Sequence, residues 1–236
     1  MKLVVGTRGS NLALVQTNWV VEQLKKNNPD IEFEIKIIKT KGDLIKDLPL
    51  DKIGDKGLFV KEIEKSLLDK EIDMAVHSMK DMPSYLPEGL KFAHSPRRED
   101  PRDALIFREG YKTLEDLPQG AKIGTGSKRR KYQLLKHRPD LEIVPIRGNI
   151  ETRIKKIETE NLDGVVLAAS GLRRAGLEEK IDYYIPTDIM LPAPAQGILA
   201  LEIREDDKET EKIIDSIKDN ITKVQIDAER GFLIGV

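Results

Sequence analysis

Short apolar runs alternate with stretches of helical periodicity in the first part of the chain. Residues 3–5 predict a strand that ends at Gly6. Ser10 is typical of a residue that caps a helix, and apolar side chains recur behind it at helical spacing, at Leu12, Val15, Trp19, Val20 and Leu24. The pattern therefore predicts a strand that is followed directly by a helix.

The same alternation continues along the chain. Apolar residues at every second position over 31–38 predict a strand, whereas the segment 41–57 is rich in Gly, Asp and Lys and predicts a mobile loop. A helical stripe over 58–68 and an apolar run over 72–76 predict a further helix and a further strand. This order of strands and helices indicates an α/β fold with largely parallel strands.

The pattern restarts after Pro101. Four apolar runs predict strands; the first two are followed by helices that begin at Ser127 and Asn149, and the third is followed by a turn at Gly171. These strands cover 121–125, 141–146, 165–168 and 198–203. We interpret the chain as two α/β units, with crossings near 97–103 and 190–196.

Composition narrows the functional classes. The 236 residues include 40 basic and 41 acidic side chains, a net charge of −1, and no cysteine. Balanced charge argues against a surface that binds nucleic acid or membranes throughout, and the lack of cysteine excludes disulfides, thiolate metal sites and cysteine nucleophiles. No apolar run has the length of a signal sequence or a membrane span, so we expect a cytoplasmic protein with neither nucleic acid nor membrane as partner.

Cationic and polar residues follow the predicted strands. Ligands of open α/β sheets bind beyond the carboxyl ends of the strands. A single arginine there is usually a solvated charge, but here arginines recur after several strands, which indicates a cleft for a polyanion held by arginine side chains and helix N-termini. The residues concerned are Arg8, Ser10, His77, Ser78, Lys80, Asp81, Thr125, Ser127, Arg129, Arg130, Arg147, Arg153, Arg173 and Arg174.

Other chemistries have weaker support. The basic segment 128–138 also admits a nucleic-acid interface, although Tyr132 is its only side chain that can stack on a base. The three histidines, His77, His94 and His137, lack metal-ligand spacing, so no metal site is expected. No phosphate-binding loop and no nucleophile-elbow serine is found.

Asp81 has the most unusual setting of any carboxylate in the sequence. It lies four residues after His77, next to Lys80, and directly before Met82 and Pro83. An aspartate in such a position can simply stabilise a turn. It can also act on a ligand at the strand end, and the residues by themselves leave both alternatives open.

Taken in order, these segments resemble the hydroxymethylbilane synthases, also called the porphobilinogen deaminase family. The similarity extends from residues 6–14 to residues 228–230, and its most specific part is the sequence DMAVHSMKDMP at residues 73–83. Further similar segments are 56–62, 98–104, 127–130, 147–153 and 194–197. The resemblance therefore covers essentially the whole chain.

The resemblance implies two α/β domains with the type II architecture of periplasmic binding proteins, joined by two crossings, and the start of a third, small α/β domain. The first domain would contain 1–97 and 197–218, the second 98–196, and the third would begin with 219–236. Family members continue into a Gly-Gly-Cys segment whose cysteine holds a primer through a thioether. We therefore expect this chain to be a shortened form, with a natural two-domain form as the alternative.

The family joins four porphobilinogens head to tail, with loss of ammonia, on a dipyrromethane primer. Each pyrrole carries an acetate and a propionate, which matches the many arginines. The resemblance implies a monomer whose primer-binding residues are His77, Ser78, Lys80, Thr125, Ser127, Arg129, Arg130 and Ala168. The substrate-binding residues that it implies are Arg8, Ser10, Gln16, Lys56, Arg147, Arg153, Arg174 and Gln196.

The resemblance also gives Asp81 a catalytic role. Loss of ammonia leaves a cationic azafulvene, and a carboxylate near the pyrrole N–H groups would stabilise that cation and handle protons. The sequence departs from the family's usual serine, alanine and glycine at Gly126, Ser170 and Ala195. Because the anchoring cysteine is missing, a form that binds porphobilinogen or oligopyrroles without turnover remains the alternative function.

Overall fold

The computed structural model describes residues 1–44 and 60–235. The chain divides into two compact units, one formed by Met1–Arg98 and Ile198–Val236 and the other by Glu99–Gly197. Lys56 and most of the predicted loop 41–57 lie outside the described residues. The domain boundaries implied by the resemblance, with a third domain from residue 219, stay predictions.

The described residues contain two five-stranded sheets. The strands are β1 (Lys2–Thr7), β2 (Glu32–Ile37), β3 (Met74–Ser78), β4 (Leu90–Phe92), β5 (Asp103–Phe107), β6 (Lys122–Gly124), β7 (Glu142–Val144), β8 (Gly164–Ala168), β9 (Tyr183–Tyr184) and β10 (Leu199–Arg204). The strand order is β2-β1-β3-β10-β4 in the first unit and β7-β6-β8-β5-β9 in the second.

Helices cover the sheets. They are α1 (Asn11–Asn27), α2 (Lys41–Leu44), α3 (Lys61–Leu68), α4 (Lys128–His137), α5 (Ile150–Thr159), α6 (Ala169–Arg174), α7 (Lys208–Ile214) and α8 (Asn220–Gly235). The predicted starts of three helices are confirmed, because Ser10, Ser127 and Asn149 each accept a backbone N–H bond as N-caps. In the part of the chain that the structure describes, no helix combines the length and apolar character needed to cross a bilayer.

The prediction of largely parallel sheets is only half right. β1 pairs parallel with β2 and β3, and β6 pairs parallel with β7 and β8. However, β10 runs antiparallel to β3 and β4, and β5 runs antiparallel to β8 and β9. Parallel neighbouring strands are joined by a crossover connection, usually a helix. β5 and β10 come directly after the points where the chain enters their units. In the described part of the chain, no crossover helix of the same unit directly precedes either strand, so nothing requires it to run parallel to its neighbours.

Alternating side chains of β3 supply two separate cores in the first unit. Met74 and Val76 pack with Val20 and Leu24 of α1. Ala75 packs on the opposite face with residues of α3, among them Ile63 and Leu67. This two-sided burial follows from the period-two alternation of a central strand. It fixes both helices relative to the carboxyl end of β3.

Two predicted boundaries are wrong in ways that affect the site. β3 begins at Met74 and continues through Ser78, because the N–H of Ile72 still bonds the carbonyl of Ser66 in the turn after α3. The turn predicted at Gly171 lies inside α6, which starts directly after β8. His77 and Ser78 are therefore strand residues, paired with Ala200 and Leu199 of β10.

Candidate functional site

A cavity opens at the carboxyl end of β3 in the first unit. It brings together several residues that the sequence singled out at two strand ends, and its lining consists of Arg8, Ser10, Leu12, Ala13, Gln16, Val60, Val76, His77, Ser78, Asp81 and Met82. The segment after β1 and the start of α1 form one side of the lining, and the end of β3 forms the other. The cavity thus combines polar and apolar side chains at the position where α/β sheets bind ligands.

Hydrogen bonds fix the two sides of this cavity to each other. The Gln16 amide of α1 donates from Nε2 to the Ser78 hydroxyl at 3.3 Å. At the next position of the helix, the Thr17 hydroxyl donates to Thr7 Oγ1 at 2.8 Å inside the core. The Ser10 hydroxyl accepts the N–H of Ala13 at 3.4 Å. Gln16 and Ser78, both predicted to bind pyrrole ligands, are therefore held in place before any ligand arrives.

Asp81 ends a short 3-10 helix, Met79–Asp81, and its side chain is exposed at the cavity. Within 1–44 and 60–235, its carboxylate has no hydrogen bond and no ion pair. The turn is closed by backbone bonds, since the N–H of Met82 bonds the carbonyl of Met79. The fold therefore does not use the Asp81 carboxylate, and the alternative of a turn-stabilising aspartate has no support in these contacts.

His77 has a partner that the sequence did not suggest. Its Nε2 lies 3.0 Å from Oε2 of Glu202, and both side chains are buried. Glu202 faces Ala75 across the antiparallel pair, so His77 and Glu202 are diagonal neighbours on the same face of the sheet. Burial, and next the charge of Glu202, raise the pKa of Glu64, and the charge of His77 lowers it.

The missed residue Glu202 did leave a signal in the sequence. It is the one charged residue in the apolar run 198–203. A carboxylate is seldom fully buried without a partner. A charged residue in the middle of an otherwise apolar strand therefore indicates a buried polar pair, although it does not identify His77 as the partner.

In the second unit, the start of α4 is a candidate anion site. Ser127 caps this helix, and the buried Thr125 hydroxyl accepts the N–H of Ser127 at 3.2 Å. Arg129 and Arg130 lie in the first turn, which contains no acidic residue. The first backbone N–H groups of a helix attract anions. The predicted residues Thr125, Ser127, Arg129 and Arg130 are thus brought together.

Both arginines contact Asp103, a fully buried carboxylate that we did not single out in the sequence. Burial by itself would raise the pKa of Asp103, but the charges of Arg130 and Arg129 and the Gln196 hydrogen bond hold it below its usual value. Asp103 directly precedes the apolar run 104–107. A carboxylate beside such a run indicates a buried charge that needs a partner, as it does for Glu202.

Arg174 is a half-buried cation that has no carboxylate bonded to it in the described part of the chain. Its Nη2 donates to the carbonyl of Gly197 at 2.7 Å. Burial lowers the pKa of Arg174 to about 10, and the charge of Glu99 opposes that shift. Arg174 is therefore still a cation at neutral pH, in a setting where a ligand carboxylate would relieve the cost of burial.

The remaining predicted residues have more varied positions. Arg147 is half-buried in the segment between β7 and α5, and Arg153 donates from Nε to the carbonyl of Gly148 at 2.7 Å. Ala168 ends β8 and precedes α6. Gln196 is buried and bonds the carbonyl of Pro101. Lys80 is exposed directly before Asp81. Lys56 lies outside the described residues.

Metal chemistry gains no support from side-chain clustering. Across the two described stretches, no group of three or more histidine, aspartate or glutamate side chains is placed to hold a metal ion. His94 and His137 each face one carboxylate, with Nδ1 of His94 at 2.6 Å from Asp215 Oδ1 and Nε2 of His137 at 3.9 Å from Glu115 Oε1.

Gly126 allows us to predict the effect of restoring the serine that is usual in the family. A Cβ at this position would lie 2.7 Å from the backbone carbonyl oxygen of Ile146. Gly126→Ser should therefore lower the stability by about 1–3 kcal/mol, because a backbone atom must move. Chemical denaturation would measure this loss. Gly231→Ser, where a Cβ meets nothing within 4 Å, is the matched control, and equal stability of the two variants would contradict the prediction.

Comparison with known proteins identifies the family. Residues 3–212 match the family model described as "Porphobilinogen deaminase, dipyromethane cofactor binding domain". A porphobilinogen deaminase of Clostridioides difficile (strain 630) is 70% identical over 236 residues, which are 100% of this chain and 78% of the relative. A porphobilinogen deaminase of Clostridium novyi (strain NT) is 62% identical and covers 100% of this chain and 80% of the relative.

Solved structures of other proteins share the fold at low sequence identity. A double mutant of the Bordetella pertussis BvgS VFT2 domain has a TM-score of 0.53 and 14% identity, and the match covers 98% of this chain and 92% of that chain. The probable amino-acid ABC transporter extracellular-binding protein ytmK of Bacillus subtilis has a TM-score of 0.54 and 13% identity, with 99% and 95% covered. The expected type II periplasmic-binding-protein-like architecture is confirmed.

Proposed function

The chain belongs to the porphobilinogen deaminase family, and we propose that it carries out that family's condensation with the Asp81 carboxylate as its catalytic group. Family membership makes the chain a transferase of tetrapyrrole biosynthesis with porphobilinogen as substrate. The roles of individual residues are our proposal. They are supported by the contacts described above, taken separately for each unit.

The observation that carries the proposal is the contrast between Asp81 and the buried carboxylates. Asp103 and Glu202 are both fully buried and both bonded to cationic or imidazole nitrogen atoms. Asp81 lies at the cavity, exposed, and has no partner among the residues that the structure describes. A carboxylate that no protein group neutralises is available to stabilise positive charge on a bound ligand.

The reaction develops positive charge at one carbon of the substrate. When the C–N bond of the aminomethyl group breaks, ammonia leaves with the electron pair and the methylene carbon becomes cationic. A new C–C bond then forms there, and one proton is lost. We propose that Asp81 stabilises the cationic carbon and accepts that proton, because it is the carboxylate among the described residues lining this cavity.

The acetate and propionate groups of porphobilinogen require cations or other hydrogen-bond donors. In the first unit, we propose that Arg8, Ser10 and Gln16 bind them, since all three line the cavity. In the second unit, we propose Arg147, Arg153 and Arg174 for the same chemistry. Arg174 has the strongest support, because it is half-buried and no carboxylate is bonded to it in the described ranges.

The family model makes dipyrromethane the expected cofactor. The donor chemistry of this chain fits its carboxylates, since an exposed ammonium at Lys80 and a capped helix start beside Arg129 are both present. We propose that Ser78 and Lys80 in the first unit, and Thr125, Ser127, Arg129 and Arg130 in the second, hold these groups. When bound, the cofactor supplies the pyrrole carbon to which the first substrate is joined. The sequence contains no cysteine for a thioether.

Turnover of porphobilinogen tests the proposal directly. The chain would be incubated with porphobilinogen, with and without a soluble synthetic dipyrromethane, while ammonia release and porphyrin absorbance after oxidation are recorded. We expect ammonia to be released and to increase when the dipyrromethane is added. Heat-inactivated chain supplies the background. Saturable binding of porphobilinogen without ammonia release would contradict the proposal and would establish the binding-only alternative.

We also propose that the chain acts as a monomer in the cytoplasm, without nucleic acid as partner. The support is the balanced net charge of −1 and the family's biosynthetic role. Light scattering at several protein concentrations would measure the mass in solution. A mass that doubles with concentration would contradict the monomer.

A further inference from the structure

We infer that Asp103 is a positioning residue for the anion site at the start of α4, where it orients Arg129 and neutralises one of two neighbouring guanidinium groups. This inference rests on the proposed function, in which that site holds ligand carboxylates. Asp103 is the first residue of β5 and is fully buried. It would act on a ligand only through the arginines.

Asp103 contacts both arginines, with hydrogen bonds at Oδ1 and an ion pair at Oδ2. Its Oδ1 accepts from Arg130 Nε at 3.0 Å, from Arg130 Nη2 at 2.8 Å and from Gln196 Nε2 at 3.0 Å. Its Oδ2 lies 2.7 Å from Arg129 Nη2. The third nitrogen of Arg130, Nη1, donates to the carbonyl of Val166 on β8 at 2.9 Å. Arg130 is therefore a buried link between α4 and the sheet.

Arg129 is held differently and stays partly exposed. Its Nη1 donates to the carbonyl of Leu191 at 2.6 Å, so the guanidinium is fixed between that oxygen and Asp103. Gln133, one turn further along α4, bonds both the N–H and the carbonyl of Leu191. In the described part of the chain, the Nε–H of Arg129 has no acceptor. A fixed guanidinium with an unused N–H is suited to bind a carboxylate.

Electrostatics explains why a buried acid is needed at this place. The first turn of α4 contains Lys128, Arg129 and Arg130 and no acidic side chain, although the N-terminus of a helix disfavours cations. One carboxylate beside two guanidinium groups leaves a single positive charge. Asp103 thus reduces the repulsion between the two guanidinium groups when no ligand is bound. One positive charge remains to attract a ligand carboxylate.

Gln196 belongs to the same cluster. It connects Asp103 to the carbonyl of Pro101 at 2.7 Å, and the residues on either side of it, Ala195 and Gly197, both have positive φ. The resemblance assigns Gln196 to substrate. Its burial and its bonds support instead a role in holding Asp103.

The direction in which Asp103→Asn changes ligand affinity distinguishes two roles of Asp103, positioning Arg129 and merely balancing its charge. Asp103→Asn keeps the size of the side chain but removes its charge. With its oxygen retained by Arg130 and Gln196, the new amide NH2 would face Nη2 of Arg129, donor against donor. If Asp103 positions Arg129, ligand affinity falls. If Asp103 were only a counter-ion, affinity would rise, because the cluster gains a positive charge.

Calorimetry with a soluble dipyrromethane that carries acetate and propionate groups is the first test. We expect Asp103→Asn to bind this probe at least tenfold more weakly than the native chain. Asp140→Asn is the matched control, because Asp140 also pairs with an arginine of the α4 region, Arg138, away from the site. Unchanged or tighter binding by Asp103→Asn would overturn the inference.

A double-mutant cycle and a spectroscopic signal complete the test. In an Arg129→Gln background, Asp103→Asn should change affinity by less than twofold, whereas a tenfold loss there would show a general effect on folding and overturn the inference. In the native chain without ligand, the Nη–H resonances of Arg129, assigned by their loss in Arg129→Gln, should exchange slowly with water, because Leu191 and Asp103 hold these groups. Fast exchange would overturn the inference even if Asp103→Asn does not fold or the chain proves inactive.

Discussion

Asp81→Asn is expected to abolish nearly all turnover of porphobilinogen while the chain stays folded. The substitution removes the charge that would stabilise the cationic methylene carbon and accept a proton, and the loss of such a preorganised charge costs about a hundredfold or more in rate. Stability should change little, because Asp81 is exposed and has no bond to any described residue. Initial rates of ammonia release and a thermal unfolding curve measure the two properties.

Two further variants test whether position as well as charge matters at residue 81. Asp81→Glu keeps the charge but displaces it by one methylene, so partial activity is expected. Glu88→Gln removes another exposed carboxylate from the same unit, away from the cavity lining, and should leave the rate unchanged. A near-native rate for Asp81→Asn would refute the catalytic assignment.

His77→Leu is expected to lower the free energy of unfolding by about 3 kcal/mol or more, because it leaves the buried Glu202 carboxylate without its nitrogen partner. Urea unfolding of the native chain and of His77→Leu would measure this loss.

His94→Leu provides the matched control for this effect. His94 also faces a carboxylate, that of Asp215, but both side chains are about one-third exposed, so the expected loss stays below about 1 kcal/mol. The double variant His77→Leu/Glu202→Leu removes both partners and should be more stable than His77→Leu alone. Equal losses for the two single histidine variants would contradict this account of the buried pair.

Most secondary structure was predictable because its causes are local. Ser10, Ser127 and Asn149 cap the helices that their positions predicted. The strands β1 and β8 contain the short apolar runs that predicted them. The strands β4, β5 and β9 were not predicted. β4 and β9 have only three and two residues, so each is too short to show a period.

The candidate site was predictable as a set of residues but not as a set of contacts. The sequence indicated Arg129 and Arg130 together, as adjacent cations at a helix start. Only the fold shows that Arg130 is buried against Asp103, 27 residues earlier in the chain, whereas Arg129 stays partly exposed. Both arginines reach Asp103, which lies on another element, so the sequence of the helix alone does not show which of the two is buried.

The sequence by itself determined the α/β character, the helix starts, the cations after the strands and, through the order of its motifs, the family. Tertiary structure alone decided that β5 and β10 run antiparallel to their neighbours β8 and β3. It also decided the pairing of His77 with Glu202 and the absence of any described partner for Asp81. The physical reason is range. Periodicity and capping act within about one or two helical turns, whereas His77 and Glu202 are 125 residues apart and meet only through the register of two strands.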